Sequence, residues 1–204
     1  MTEFVVCSYY TFDTPYQQVA HECLMPSLFE AKIPADVRGV QSLGSWGKNT
    51  SYKPTFIKRM LTLHPDKNVV FLDADAQVML YPELFGEIPE EFNIAVHILD
   101  KDRWYNRKNG GEQELLSGTL FVRNCEASHK ILDRWIHLCA VKHLMWEQKI
   151  LQEVIDEMGI PIYELPISYC YIRTMPDGSD PHVKCEKPVV VHHQCSRLYK
   201  RDIK

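Results

Sequence analysis

The sequence Val69-Val70-Phe71-Leu72-Asp73-Ala74-Asp75-Ala76 joins an apolar run to two carboxylates that are one residue apart. A short run of this kind is typical of a buried strand. Like charges at the edge of an apolar core are unfavourable unless a cation or strong hydrogen-bond donors compensate them. The stretch therefore indicates a divalent metal site at the end of a strand. The alternative is that the two Asp residues cap the helical turn near Pro82 or lie in a solvated loop.

Length, composition and charge limit what such a site can serve. The chain has 204 residues and 45% hydrophobic content, so we expect a single domain over residues 1–204 with one sizeable core. Its formal net charge is −4, which excludes a broad positive field of the kind that concentrates nucleic acid or anionic lipid. Any contact with nucleic acid would be local.

The N-terminal residues and the cysteines favour a cytoplasmic protein. Met1-Thr2-Glu3 leads directly into a strand-like run, without the basic and apolar regions of a signal peptide. No apolar stretch approaches the ~18 to 20 residues that span a bilayer, so no transmembrane segment is expected. The 7 Cys residues are an odd number without a CxxC pair, which fits reduced thiols better than a disulfide framework or a zinc site.

Apolar runs and helical periodicity alternate along the chain. The pattern predicts strands at 4–8, 35–40, 69–72, 92–99, 115–122 and 189–191. It predicts helices at 14–29, with Pro26 ending or kinking the helix, and at 54–64, 127–142 and 147–158, and polar loops at 41–52 and 100–114. Strands separated by helices indicate an α/β three-layer sandwich with a mainly parallel central sheet.

Polar side chains follow four of these strands. They are Ser8 to Thr11, the Asp pair, the segment Ser117-Gly118-Thr119, and His192-His193-Gln194. Ligands of open α/β sheets bind at the carboxyl ends of strands, so a shared cleft explains all four placements. Two carboxylates and an imidazole suit Mn²⁺ somewhat better than Mg²⁺, which prefers oxygen ligands.

These segments together resemble the GT-A class of nucleotide-diphospho-sugar glycosyltransferases, in particular the small retaining branch related to glycogenin and bacterial galactosyltransferases. Asp73-Ala74-Asp75 matches the DxD motif, Ser117 to Asn124 the Ser-Gly strand block, Trp146 to Leu151 the acidic-Gln element, and His192 to Arg197 the C-terminal block. Two features depart from the pattern. Lys149 stands where retaining members carry a second Asp, and the terminal Lys-Pro-Trp run is absent.

The resemblance implies a GT-A (Rossmann-like) fold and assigns a role to each block. Asp73, Asp75 and His192 are the implied metal ligands, with His192 preferred to His193 by alignment with the family block. Asp75 has a catalytic role through the metal, and the chain turns at Ala74 so that Asp73 contacts the ribose or reaches the metal through water. Glu147 and Gln148, together with Glu114, are the implied groups beside the anomeric carbon; alternatively, Glu147 and Gln148 form the solvent face and first turn of a helix.

Other residues suit the nucleotide. Tyr9, Tyr10 and Thr11 would stack on the base and hydrogen-bond it, although Tyr near a strand end is also ordinary core material. Lys53 at a helix start would meet the base or the diphosphate, or is an exposed surface lysine. Further candidates for the donor are Ser117, Arg197 and Lys200. The loops 41–52 and 101–113, with Trp46 and Trp104, are candidate lids.

The predicted function is metal-dependent transfer of a sugar from a nucleotide-diphosphate donor, UDP-linked, with retention. The alternatives are a nucleotidyltransferase and a catalytically weak nucleotide-sugar-binding protein on the same fold. No Gly-rich phosphate loop supports the first alternative. The acceptor is a glycan, lipid-linked glycan or other hydroxyl compound. The acidic balance argues mildly against a modified DNA base, although the basic tail from Arg197 to Lys204 leaves a local contact open. The sequence does not indicate an oligomeric state.

Overall fold

The central sheet of the computed structural model, which describes residues 3–106 and 110–199, has six strands in the order β2-β1-β3-β6-β5-β7. These are β1 (Phe4–Thr11), β2 (Ala35–Val40), β3 (Asn68–Leu72), β5 (Ile94–Asp100), β6 (Gln113–Val122) and β7 (Ile162–Glu164). The β1–β2, β1–β3 and β5–β7 pairs are parallel, while β6 runs antiparallel to both of its neighbours. The sheet is therefore mostly parallel, as the sequence predicted.

Helices cover both faces of this sheet. The helices are α1 (Pro15–Val19), α2 (Met25–Glu30), α3 (Trp46–Ser51), α4 (Lys53–Leu63), α5 (Lys101–Tyr105), α6 (Glu126–Val141), α7 (Glu147–Met158) and α8 (Ser196–Tyr199). On one face, α4, α6 and α7 pack their apolar sides on alternate residues of β1 and β3, such as Val5 and Phe71. On the other face, Leu24 and Leu28 pack on Val6 and Val70. Strand alternation thus divides the core into two layers.

A second, smaller sheet carries part of the polar cleft. It consists of β4 (Ala76–Val78), β9 (Val190–His192) and β8 (Tyr171–Ile172), in the order β4-β9-β8. Ala76 faces His192 in the antiparallel β4–β9 pair. The sequence prediction missed β4, β7 and β8, because two- and three-residue strands show no readable periodicity.

Two sequence predictions of local structure were wrong, and a third kept one of its two alternatives. The helical span predicted at 14–29 is present, but Pro26 does not end it: α2 continues to Glu30, and the helix is irregular at a π-helical turn, Ala20–Leu24, just before Pro26. The predicted loop 41–52 contains α3, which Ser45 caps by accepting a hydrogen bond from the Lys48 N–H. The predicted loop 100–114 contains α5, which Asp100 caps in the same way, and the start of β6. Side-chain caps stabilise these short helices where periodicity is too brief to reveal them.

The pairing of β5 with β6 is interrupted at the site. Val96 pairs with Leu120, but the next residue, His97, pairs with Leu116. Ser117, Gly118 and Thr119 are therefore extra residues on β6, as in a β-bulge, which bends a strand and redirects its side chains. No helix in the described parts of the chain combines the length and apolar character needed to cross a membrane.

Candidate functional site

Asp73, Asp75 and His192 lie close together at the carboxyl end of β3. One ligand atom from each of the three residues lies within 4.8 Å of the other two. The chain turns directly after β3, where the Ala76 N–H donates a hydrogen bond to the Asp73 carbonyl over 2.9 Å. This turn leads into β4, which pairs with the strand that ends in His192. Two sheets therefore meet where the three side chains converge. We call Asp73, Asp75 and His192 the ligand group.

The donor set suits a divalent cation. The Nδ1 atom of His192 lies 3.6 Å from an Asp75 carboxylate oxygen, and its Nε2 atom lies 2.8 Å from the Thr119 hydroxyl oxygen. With a proton on Nε2 that is donated to Thr119, Nδ1 keeps its lone pair on the side of the carboxylates. Two carboxylates and one imidazole are ligands that Mn²⁺ accepts in proteins. The neighbouring His193 side chain instead meets Gln77, with 3.1 Å between Nε2 and the amide oxygen.

Gly118 leaves the space in which these side chains meet. A Cβ atom at this position would lie 3.0 Å from His192 Cε1 and 3.2 Å from both Asp73 Oδ2 and His192 Nδ1. Its carbonyl also accepts a hydrogen bond from the Asp73 N–H. The absent side chain thus allows the bulged strand to approach the ligand group closely.

Burial and neighbouring charges set the protonation of the pair Asp75 and His192. Burial by itself raises the pKa of the Asp75 carboxyl, but the imidazole of His192 and the Cys195 N–H outweigh this effect and lower the pKa below its usual value. Burial by itself lowers the pKa of His192, but Cys170 and Asp75 outweigh it and raise this pKa to about 10. The site therefore favours a positive charge beside the two carboxylates, and a divalent cation meets the same requirement.

Lys53 connects the ligand group to the opposite wall of the cleft. Its side chain is only 3% exposed, and its ammonium lies 3.0 Å from an Asp73 oxygen and 2.9 Å from a Glu147 oxygen. It also lies 3.0 Å from the Ser117 hydroxyl and 3.2 Å from the Ser117 carbonyl. Burial opposes its charge, but the two carboxylates outweigh burial and raise the pKa of Lys53. Lys53 is therefore not an exposed surface lysine, and it lines the cavity described below.

Hydrogen bonds fix the orientation of the Gln148 amide at the start of α7. Its oxygen accepts from the Ser117 N–H over 3.0 Å, and its NH₂ group donates to Glu114 over 2.8 Å. Glu114 is held in turn by Lys101, with 2.8 Å between the ammonium and the second carboxylate oxygen. Glu147 is buried and accepts a hydrogen bond from the Ser117 hydroxyl over 3.0 Å. Gln148 is thus oriented by its neighbours, and the more buried Glu147 lines the same cavity.

A cavity of about 470 Å³ is lined by Asp73, Asp75 and Gln148. Its wall includes the aromatic side chains of Tyr16, Trp46, Trp104 and Trp146. The Trp46 indole N–H donates a hydrogen bond to the Tyr16 hydroxyl over 3.1 Å, and the Trp46 and Trp146 rings meet edge to face. The two segments proposed as lids therefore form walls of this cavity, apart from residues 107–109, which lie outside the described residues.

The residues predicted to bind the nucleotide differ in how far they are buried behind the cavity wall. Tyr10, Thr11 and Arg197 line the cavity, and the Arg197 guanidinium donates to the Thr174 carbonyl. Tyr9 also touches the cavity, but its hydroxyl donates to the Asn49 carbonyl over 2.7 Å and its ring packs against Phe56 and other core aromatics. Ser117 is 1% exposed and acts within the Lys53 network. Lys200 lies outside the described residues.

The sequence interpretation did not assign three residues of the site. Thr119 holds His192, Tyr16 meets Trp46, and Lys101 meets Glu114. Thr119 could have been assigned from the sequence, because residues two apart on a strand share a face and Thr119 lies two residues from Ser117. Lys101 and Tyr16 could not, because their partners are distant in sequence.

Comparison with protein families decides the class of this site. A family profile described as nucleotide-diphospho-sugar transferase matches residues 13–203, which include Asp73, Asp75, Gln148 and His192.

The chain belongs to the nucleotide-diphospho-sugar transferase family.

Solved structures agree with this transferase assignment in their fold. A glycosyltransferase involved in the glycosylation of the major capsid of PBCV-1 is 17% identical, with 96% of both chains covered and a TM-score of 0.68. Mouse xyloside xylosyltransferase 1 is 12% identical, with 96% of this chain and 99% of that chain covered and a TM-score of 0.59. GlyE of Streptococcus pneumoniae TIGR4 is 15% identical over 94% of this chain and 54% of that chain, with a TM-score of 0.57.

These similarities establish a glycosyltransferase with the GT-A fold, as the DxD motif and the order of the sequence blocks predicted. No curated protein matches the transferase significantly.

Proposed function

We propose that this transferase moves a sugar from a nucleotide-diphosphate donor, UDP-linked, to a hydroxyl acceptor in a metal-dependent reaction with retention. The supporting observation is that Asp73 and Asp75, whose carboxylates lie within 4.8 Å of a His192 ring nitrogen, line one cavity with the oriented amide of Gln148. A site of this kind combines cation ligands for a diphosphate with polar groups for a sugar. Its volume of about 470 Å³ lies within the usual range for small-molecule sites.

Asp73, Asp75 and His192 would hold the cation, and the imidazole favours Mn²⁺ over Mg²⁺. When bound, the cation would supply Lewis-acid neutralisation of the charge that develops on the diphosphate leaving group. The chain's own part is to orient the ligands. Thr119 fixes the His192 ring, and the Cys195 N–H, at 2.8 Å, fixes the Asp75 carboxylate.

The remaining cavity residues suit the two ends of the donor. Tyr10, Thr11, Tyr16 and Trp46 offer aromatic faces and hydroxyls for the nucleoside, and Arg197 offers a cationic donor for phosphate oxygens. We assign Lys53 a positioning role instead of direct contact with the donor, because its three donors already meet Asp73, Glu147 and Ser117.

Retention follows most simply from attack on the same face that the diphosphate leaves. The Gln148 amide would hydrogen-bond the sugar there, while the leaving phosphate takes the proton of the acceptor hydroxyl. A covalent intermediate on Glu147 is disfavoured, because one of its oxygens is bound by Lys53 and Ser117 and the side chain is buried. The acceptor brings the attacking oxygen, so it must enter beside Gln148.

Free nucleotide released from a panel of nucleotide sugars in the presence of Mn²⁺ tests the proposed donor and metal. We expect release with UDP-sugars, loss of release with a chelator, and loss in the Gln148→Ala variant. Absence of release from every donor, combined with donor-dependent thermal stabilisation, would identify a binding protein instead. Release of pyrophosphate from a nucleoside triphosphate would favour a nucleotidyltransferase.

Proton NMR of the transferred sugar tests the stereochemistry. We expect the anomeric configuration of the donor in the product, and an inverted anomer would exclude the same-face mechanism. Screening acceptors with a labelled donor tests the acceptor class, for which we propose a glycan or lipid-linked glycan ahead of a modified DNA base.

A further inference from the structure

Exposed apolar side chains surround the turn between α6 and α7, at the edge of the catalytic cavity. Leu144 is 90% exposed, Val141 is 60% exposed and Trp146 is 49% exposed. We call Val141, Leu144 and Trp146 the rim patch. Large apolar side chains that are this exposed and adjacent are typical of a surface that is covered by a partner.

Basic side chains accompany the rim patch. A groove of about 440 Å³ lies along it, and its lining includes Lys142, His143 and Lys149 and no acidic residue among the described ones. Lys142 forms an ion pair with Glu153, whereas Lys149 makes no ion pair within residues 3–106 and 110–199 and lies 5.7 Å from the centre of the Trp146 ring. The patch therefore combines an apolar tip with local positive charge.

Trp146 belongs to both the groove and the catalytic cavity. It lines each of them, and it directly precedes Glu147 and Gln148 on the chain. Its ring meets Trp46 on α3, which also carries the exposed Lys48. A surface that covered the rim patch would therefore lie beside the mouth of the catalytic cavity.

We propose that the rim patch docks on an anionic membrane surface, with Leu144 and Trp146 inserted at the level of the lipid headgroups. Tryptophan and leucine flanked by lysine match the apolar interior and negative surface of such a membrane. Because the net charge is −4 and Lys142 is paired with Glu153, the attraction is local and comes mainly from Lys149. The orientation would present the catalytic cavity to acceptors that are held in the membrane.

Sedimentation with phospholipid vesicles tests this proposal without donor, metal or acceptor, so its outcome is separate from that of the proposed sugar transfer. We expect the protein to sediment with vesicles of mixed phosphatidylglycerol and phosphatidylcholine but not with phosphatidylcholine alone, and to be released by salt. The Leu144→Glu variant should lower the bound fraction roughly tenfold, since it removes apolar burial and adds repulsion. Its release of nucleotide without vesicles should equal that of the wild type.

Phe29→Glu is the matched control, because Phe29 is 85% exposed on α2 and does not line the catalytic cavity. This variant should bind vesicles normally. Absence of binding by the wild type to anionic vesicles would overturn the proposal. So would loss of binding in Phe29→Glu with normal binding in Leu144→Glu. Self-association that Leu144→Glu abolishes, without vesicle binding, would show that the rim patch is a protein interface instead.

Discussion

The Nδ1 atom of His192 lies 3.6 Å from a carboxylate oxygen of Asp75. The Cys195 N–H donates a hydrogen bond to the same carboxylate, although 120 positions separate Cys195 from Asp75. The turn after β3 and the end of β9 thus form one structural unit around the ligand group. Each side chain is held by a hydrogen bond on the side away from the other. Such support keeps ligand atoms in place for a cation.

Removal of either ligand should therefore abolish metal-dependent activity without unfolding the protein. We expect Asp75→Ala and His192→Ala each to lower nucleotide release roughly 10²-fold, the magnitude typical for loss of a group that stabilises developing charge. Isothermal titration with Mn²⁺ should show lost or greatly weakened binding, and circular dichroism an unchanged fold. His193→Ala is the control, and it should keep Mn²⁺ binding. Full activity in either ligand variant would contradict the assigned site.

A methyl group at Gly118 should disturb the positions of the His192 and Asp73 side chains. The new Cβ would lie 3.0 Å from His192 Cε1, so the ring or the bulge must move. We expect Gly118→Ala to weaken Mn²⁺ binding roughly 10- to 100-fold, as loss of ligand orientation commonly does. Gly47→Ala should have no such effect, because nothing lies within 4 Å of a Cβ at that position. Unchanged binding in Gly118→Ala would show that the strand can retreat without cost.

Lys53 should stabilise the fold chiefly through its buried ion pair with Glu147, because the Asp73 side chain is 41% exposed. Lys53→Met leaves Asp73 and Glu147 without their shared cation, so we expect the free energy of unfolding to fall by about 3 to 5 kcal/mol. Adding Glu147→Gln should recover part of this loss, because one buried charge is then removed. Lys58→Met breaks an exposed pair with Asp133 and should cost less than about 1 kcal/mol. Urea denaturation measures all of these variants, and equal losses at the two lysines would refute the role of burial.

Lys101 should act on catalysis through Glu114 and Gln148. We expect Lys101→Met to lower kcat for nucleotide release roughly tenfold while the donor KM changes less than about twofold, since the amide of Gln148 loses its fixed orientation. Lys101→Arg should retain most of the activity. In a Glu114→Gln background, Lys101→Met should have little further effect. Additive effects, or a similar loss in the exposed-pair control Lys130→Met, would argue against this coupling.

Much of the architecture was accessible from hydrophobic pattern. The strand at 35–40 and the helix at 147–158 have the predicted bounds, because long periodic segments and a glycine end signal carry the information locally. Helices α3 and α5 were not predicted, because they are too short to show a helical periodicity and are stabilised instead by side-chain hydrogen bonds at their N-termini. The antiparallel direction of β6 was not predicted either, since strand direction depends on how the chain returns to the sheet.

The sequence by itself determined the family, through the order of its blocks, and it predicted that two aspartates at the end of an apolar strand need compensation for their charge. Only the tertiary structure decided which groups surround the two aspartates. It shows that Lys53 is enclosed between Asp73 and Glu147, that Gly118 leaves room for His192, and that Lys101 reaches Gln148 through Glu114. The physical reason is that burial, and pairing between residues distant in sequence, determine how strongly each charged group interacts with its neighbours. Local sequence specifies neither.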